Sequence, residues 1–185
     1  ALIRYNTDGS LDSSFGTGGK YITDIGASHE FPGAVAIQAD GKIVAVGFTG
    51  SASGGFVIVR SNTDGSLDKS FGNGGIIMGL GNAYGVTIQS NGKIVVAGQV
   101  FNTFSSAGFI TRYNTNGSLD STFGNGGIAN PPFTSSSQFH AMTIQPDGKI
   151  IGAGNIIARF HGDPLNRNTL FDFDGDGKSD ISVFR

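Results

Sequence analysis

The stretch that decides the fold is Asn-Gly-Ser-Leu-Asp-Ser-Thr-Phe-Gly-Asn-Gly-Gly at 116–127, because near-copies of it stand at 8–19 and 64–75. A second block, Ile-Gln, any residue, Asp or Asn, then Gly-Lys-Ile, recurs in step with it at 37–43, 88–94 and 144–150. Two motifs in the same order three times establish a tandem repeat of 52 to 56 residues. Periods of about 50 residues are typical of propeller blades.

Four short apolar stretches bounded by Gly and Asn predict four strands in each repeat. In the middle repeat they lie at roughly 76–80, 84–89, 93–100 and 109–114. The third stretch contains Ile94-Val95-Val96-Ala97-Gly98, which is apolar without alternation, so we expect both its faces to be buried.

The second and third strands of each repeat are joined by an Asp-Gly or Asn-Gly pair, which predicts a two-residue type I′ turn. The pairs are Asp40-Gly41, Asn91-Gly92 and Asp147-Gly148. After the first motif, a tight glycine loop is expected to place the aromatic ring between neighbouring sheets. The rings concerned are Phe15, Phe71 and Phe123.

These elements predict an all-β fold of tandem four-stranded antiparallel blades, β-propeller-like, over residues 1–161, with units at roughly 1–61, 62–114 and 115–161. We expect three complete units preceded by an orphan strand at Leu2 to Asn6. Propellers close with about four to eight blades. The chain is therefore expected either to continue in a longer repeat protein or to associate with copies of itself, with the orphan strand adding to another sheet edge.

The composition limits the function. The chain has 31 glycines among 185 residues, no cysteine and a net charge of −2, which exclude a helical protein, a thiolate site and an electrostatic footprint for nucleic acid. No apolar run reaches the roughly 18 residues of a membrane span, and no secretory leader pattern stands at the start of the sequence.

Strand 109–114 and the motifs that follow it, through the block at 144–150, resemble the delta-60-type repeats of bacterial secreted and surface proteins. The resemblance covers residues 1–161 and involves several motifs in fixed order. It implies a β-propeller-like module that is extracellular or on the bacterial cell surface.

The last segment, 162–185, has a different composition and predicts a linker and a calcium loop followed by a terminal strand. Carboxylates at alternate positions converge on a hard cation, with a glycine at the sharp turn and a backbone carbonyl at position 7. The predicted Ca²⁺ ligands are Asp172, Asp174, Asp176, the carbonyl of Lys178, and Asp180. The loop resembles those of integrin-like FG-GAP and VCBS repeats. Because Val183 replaces the usual bidentate Glu, we expect an affinity of about 10⁻⁴ to 10⁻³ M. The alternative is an Asp/Gly turn without metal.

Polar residues inside the repeats allow two interpretations each. Asn6, Asp8, Ser10 and Asp12 alternate as calcium ligands do, but local Asx and Ser turns explain the same spacing and are favoured. The Gly-x-Gly-Gly sequence precedes no helix, so a phosphate cradle is not expected.

Arginines recur at one strand position, as Arg4, Arg60, Arg112 and Arg159. They suggest either a ring that holds an anionic ligand or structural ion pairs with the recurring Asp12, Asp68 and Asp120, and we favour the ion pairs. His29, His140 and His161 have no metal-ligand spacing.

We therefore predict a non-enzymatic extracellular structural or adhesive module, which is either a filament-forming subunit completed by strand pairing between subunits or part of a longer repeat chain. No nucleophile, base and oxyanion hole can be assembled from the sequence, so no catalytic residue is predicted. The alternative is a propeller that binds a carbohydrate or a protein through aromatic residues such as Phe101, Phe104, Phe133 and Phe139.

Overall fold

The computed structural model of the chain describes residues 1–23, 25, 29–50, 55–102, 105–131 and 137–161, and the regular structure within these ranges is β-strand. The strands are β1 (Leu2–Ile3), β2 (Lys20–Tyr21), β3 (Glu30–Ile37), β4 (Ile43–Thr49), β5 (Gly55–Ser61), β6 (Ile76–Leu80), β7 (Asn82–Ile88), β8 (Ile94–Asn102), β9 (Ser105–Tyr113), β10 (Ile128–Ala129), β11 (Phe139–Ile144), β12 (Ile150–Gly154) and β13 (Ile157–Phe160). All pairings between these strands are antiparallel, so the predicted fold class is confirmed.

Within the described ranges the strands form four sheets that follow one another along the chain. The first sheet pairs β1 with β2, the second contains β3 to β6, the third β7 to β10, and the fourth β11 to β13. In the second and third sheets each strand pairs with the next strand in the chain. This meander is the four-stranded blade of a propeller.

The four strands of the middle repeat are present, but they do not form one sheet as predicted. β6 pairs with β5 of the second sheet, whereas β7 begins the third sheet. The cause is the loop that joins β5 to β6. The backbone N–H of Arg60, at the end of β5, donates to the carbonyl of Gly75 at 3.0 Å, which turns β6 back along β5. Each complete sheet therefore takes strands from two successive sequence repeats.

The same loop corrects the prediction of an orphan N-terminal strand. β1 is paired, with Leu2 opposite Tyr21 and Ile3 opposite Lys20. The N–H of Arg4 donates to the carbonyl of Gly19 at 3.1 Å, as Arg60 does to Gly75. The described chain thus contains two complete sheets, flanked by a two-stranded sheet and a three-stranded sheet.

The hairpin between β3 and β4 contains three loop residues, so the predicted two-residue turn is wrong. Ile37 lies opposite Ile43, and the N–H of Gln38 donates to the carbonyl of Lys42 at 2.8 Å. The N–H of Gly41 donates to the carbonyl of Gln38 at 2.9 Å, and Gly41 takes the left-handed conformation at φ 80°. This pattern is a three-residue loop in which a glycine bulge follows a tight turn. The Asn91-Gly92 and Asp147-Gly148 hairpins repeat it.

The sheets stack face to face, with one cluster of buried apolar side chains between the second and third sheets and another between the third and fourth. β8 contributes to both clusters, because Ile94 and Val96 point to one side and Val95 and Ala97 to the other, all fully buried. The prediction that both faces of this strand are buried is confirmed.

Candidate functional site: a repeated arginine, aspartate and phenylalanine clamp

Three arginines near strand ends pair with aspartates in the loops that follow. The bonds join Arg4 Nε to Asp12 Oδ2 at 2.7 Å, Arg60 Nε to Asp68 Oδ2 at 2.8 Å, and Arg112 Nε to Asp120 Oδ2 at 2.6 Å. The predicted structural ion pairs are therefore confirmed. Arg159 occupies the same register position on β13 as Arg60 on β5.

A lysine from the second sequence block joins two of these pairs, a contact that the sequence pattern does not predict. Lys42 Nζ donates to Asp68 Oδ2 at 2.9 Å, and Lys93 Nζ donates to Asp120 Oδ2 at 2.6 Å. The recurrence of Gly-Lys-Ile is visible in the sequence, but each lysine lies 26 or 27 residues from its partner. Only the antiparallel pairing of the second and third strands of the blade brings the two together.

The two buried aspartates are held in the ionised state. Burial acts to raise the pKa of Asp68, but hydrogen bonds from Ser70 and Lys42 and the charge of Arg60 outweigh it and hold the pKa well below its usual range. In Asp120 burial is likewise outweighed, here chiefly by the hydrogen bonds from Lys93 and a threonine. Each carboxylate is thus a permanent negative charge that bridges two cations.

A phenylalanine ring completes each cluster. The guanidinium carbon of Arg60 lies 4.3 Å from the centroid of the Phe71 ring, and the corresponding distances are 4.6 Å for Arg4 with Phe15 and 4.8 Å for Arg112 with Phe123. Such stacking of a cation on an aromatic face is favourable, and more so when it is desolvated. We call each set of Arg, Asp and Phe a clamp.

Each of the first two clamps binds the next motif loop along the chain. Arg60 Nη1 donates to the carbonyl of Thr115, and the N–H of Gly72 donates to the carbonyl of Asn116 at 3.0 Å. A Cβ built on Gly117 would lie 2.9 Å from the Phe71 ring, so the ring rests directly on this glycine. The same contacts join the first repeat to the second, with Phe15 against Gly65. The predicted position of these two rings between neighbouring units is confirmed.

Local turns account for the alternating polar residues of the motif loop, as favoured from the sequence. Asp8 Oδ1 accepts the N–H of Ser10 at 2.9 Å and its hydroxyl at 2.6 Å. Asn6 Nδ2 donates to the Ser10 hydroxyl at 3.0 Å. No group of three or more His, Cys, Asp or Glu side chains that could hold a metal occurs among the described residues.

A row of aromatic side chains crosses the opposite end of the strands. Phe31 stacks on Phe48 with centroids 5.0 Å apart, Phe48 meets Tyr84 edge-on at 5.5 Å, and Tyr84 lies 4.9 Å from His140. Tyr84 and His140 stand at the bulges of β7 and β11, where an extra residue turns the side chain out of the ladder. The Tyr84 hydroxyl accepts a hydrogen bond from Gln99 Nε2 at 2.9 Å. Rings beside amide groups can stack on and hydrogen-bond to a sugar.

The aromatic residues proposed as ligand contacts from the sequence differ in their positions. Phe139 is fully buried and packs on Phe160 at 5.8 Å, so it serves the core and not a ligand. Phe101 is exposed. Phe104 and Phe133 lie outside the described residues, as do the predicted calcium ligands Asp172, Asp174, Asp176, Lys178 and Asp180.

Comparison with known families agrees with this geometry. Three segments of the chain, 1–15, 38–71 and 89–123, match the family model described as a domain of unknown function (DUF5122) beta-propeller, and each segment ends on a clamp phenylalanine. A search of curated proteins found no match. The part of the chain that the structure describes holds no helix with the length and apolarity of a membrane span. By its sheets, its repeated clamp and this similarity, the chain is a β-propeller-like repeat protein.

Proposed function

We propose that the chain is a non-enzymatic structural and adhesive module of the bacterial exterior. The observation that carries the proposal is the clamp, because Arg4 and Arg60 each donate to the carbonyl just before the next motif and so fasten neighbouring units together. In the third sheet Arg112 is fully buried and Asp120 nearly so. Side chains placed in this way stiffen a scaffold and do not reach a substrate.

The proposed location is supported by the resemblance to delta-60-type repeats. A rigid blade stack suits such a location, since a surface module must keep its shape under load and in the presence of proteases. Weak calcium binding by the tail, proposed from the sequence of 172–180, would stiffen the C-terminal segment at the calcium concentrations found outside cells.

The experiment is display of the chain on a bacterium that lacks it, with cell aggregation and attachment to polysaccharide-coated surfaces as readouts. We expect the displayed chain to raise one or both, and Asp120→Asn, which breaks a buried clamp, to reduce the gain. Cells that display an unrelated domain of similar size are the control. A displayed and protease-resistant chain that behaves like this control refutes the adhesive function.

A second candidate function is carbohydrate binding, and the row from Phe31 to His140 favours it. Phe31 and His140 at its ends are exposed, while Phe48 and Tyr84 between them are half-buried. Gln99 beside Tyr84 is buried, and its Oε1 accepts no hydrogen bond from any described residue. A ligand hydroxyl is a suitable donor for this oxygen.

A glycan array tests this candidate. We expect binding to be lost in His140→Ala and kept in Tyr5→Ala, an exposed aromatic residue at the clamp end of the strands. Absence of binding to any glycan, or equal loss in both variants, counts against it.

A further inference from the structure

Among the described residues, one face of β3, the first strand of the second sheet, is exposed, although the corresponding faces of β7 and β11 are covered. The hairpin register makes the comparison direct, since Ile37, Ile88 and Ile144 each lie opposite the isoleucine that begins the next strand. Ile88 and Ile144 pack on the two core clusters. Ile37 is 70% exposed.

The residue two positions before each of these isoleucines shows the same difference in exposure. Val86 and Met142 pack against the sheet that precedes theirs, whereas their counterpart Val35 is 57% exposed. The second sheet therefore carries side chains suited to an interface that is not formed among the described residues. Val35 lines an apolar groove of about 330 Å³ that is also lined by Leu2, Phe31, Ala45 and Val57.

The packing within the chain shows what fits such a face. β7 lies over β3 and β4, and β11 lies over β7 and β8, so the first strand of each sheet lies over the first two strands of the sheet before it. Large side chains on one sheet face small residues on the sheet before it. A Cβ on Gly85 of β7 would lie 3.3 Å from Met142 Cγ of β11. The groove around Val35 is thus shaped for a first and second strand with small residues on the inner face.

In the first sheet, β1 has an open edge beside this face. β1 and β2 correspond to the third and fourth strands of a blade, because Arg4 follows β1 as Arg60 ends β5, and the same loop follows both. β5 is hydrogen-bonded on both sides, by β4 and β6. β1 pairs only with β2 among the described strands, and Ala1 and Leu2 line the groove. An open strand edge therefore lies beside the open apolar face.

We propose that this groove binds an antiparallel β-hairpin of the same repeat type, which completes the first sheet as a four-stranded blade. The second strand of the hairpin would add to the edge of β1, as strands do in β-augmentation, and its small residues would cover Val35 and Ile37. Docking of an intact second copy through its fourth sheet is less suitable, since β13 would then meet β1 at the same strand position. This inference goes beyond the adhesive function, because it concerns how the stack of blades is completed.

The test uses a labelled synthetic peptide with the sequence of residues 81–102, the β7–β8 hairpin, which covers β11 in the same way within the chain. We expect saturable binding to the full chain by fluorescence anisotropy and slower hydrogen exchange of the amides of β1. A scrambled peptide should not bind. Val35→Lys should weaken binding by about tenfold or more, because it places a charge in an apolar contact.

The matched control is Met78→Lys, a residue 59% exposed on β6 of the same sheet but outside the lining of the groove. Met78→Lys should bind the peptide as well as the natural chain does. Ile37→Lys, a second exposed apolar position on β3, replaces Val35→Lys should that variant fail to fold. The proposal is overturned if the peptide does not bind, or if Val35→Lys and Met78→Lys bind it equally well. Sedimentation that shows assembly of the chain alone, abolished by Val35→Lys, would identify a second copy as the occupant and overturn the hairpin. Adhesion of displayed cells is measured separately, so the two proposals can fail independently.

Discussion

Replacing the clamp aspartates one at a time by asparagine isolates the ion pair from the turn in which it sits. In Asp68, Oδ1 accepts the N–H and hydroxyl of Ser70, while Oδ2 accepts from Arg60 and Lys42. Asparagine keeps Oδ1 for the turn, a role that Asn116 already performs towards Ser118. It replaces Oδ2 by an amide donor that faces two cations. The substitution therefore removes the charge and keeps the local backbone geometry.

The three repeats provide the same pair at three depths. The arginine side chain is 35% exposed beside Asp12, 6% beside Asp68 and 0% beside Asp120. Removing one partner of a buried ion pair leaves an uncompensated buried charge and costs about 3–5 kcal/mol. Exposed pairs are screened by water and contribute little. We expect Asp68→Asn and Asp120→Asn each to lower the free energy of unfolding by about 3 kcal/mol, and Asp12→Asn to lower it by only a small part of that.

Urea denaturation followed by far-ultraviolet circular dichroism measures these differences, since urea carries no charge that would screen the pairs. The loss should increase from Asp12→Asn to Asp68→Asn and Asp120→Asn. Equal losses at the three sites, or the largest loss at Asp12, would contradict a stabilisation by the buried ion pairs. Either outcome would mean that the turn, and not the buried charge pair, accounts for the stability.

Three further outcomes follow from the same structure. Gly117→Ala should destabilise the chain by about 1–3 kcal/mol more than Gly9→Ala, because both glycines have φ near 90° but only the first meets a phenylalanine ring, and equal urea midpoints would contradict this. The lowered pKa values of Asp68 and Asp120 mean that their stabilisation is complete above about pH 4, the pKa of an unfolded aspartate, and is lost as the pH falls through the folded value. Melting temperatures from pH 7 to pH 2 should show this loss, and a curve that stays flat below pH 4 would be evidence against it. Calorimetric titration with calcium should give a Kd of about 10⁻⁴ to 10⁻³ M that Asp174→Ala abolishes, and absence of heat with the natural sequence would exclude the predicted loop.

The sequence was sufficient to predict the strands and the ion pairs, because both depend on local pattern or on repeat position. Apolar runs between glycines mark β7, β8 and β9 to within a few residues. The recurrence of Arg60 and Asp68 at fixed spacing indicated a shared structural role, which the bond of 2.8 Å confirms.

The partner of each strand could not be read from the repeat. A repeat has no marked beginning, so the sequence alone does not tell whether β6 belongs with β5 or with β7. The loop between β5 and β6 determines the pairing, through the hydrogen bond from the N–H of Arg60 to the carbonyl of Gly75. The predicted length of the hairpin turn was wrong for a similar reason, since Asp40-Gly41 suits either a two-residue turn or the bulged three-residue loop. The observed pairing of Gln38 with Lys42 selects the longer loop.

The offset between sequence repeat and sheet has a mechanical consequence. Because the second sheet takes β3, β4 and β5 from one repeat and β6 from the next, two successive repeats share one hydrogen-bonded ladder. The clamp adds a second connection, since Arg60 and Gly72 bind the motif loop that follows β9. To separate two repeats, both connections must break, and the apolar cluster between the sheets must open with them. The offset therefore couples the opening of one repeat to that of the next, and the buried pair of Arg60 and Asp68 lies where the two repeats join.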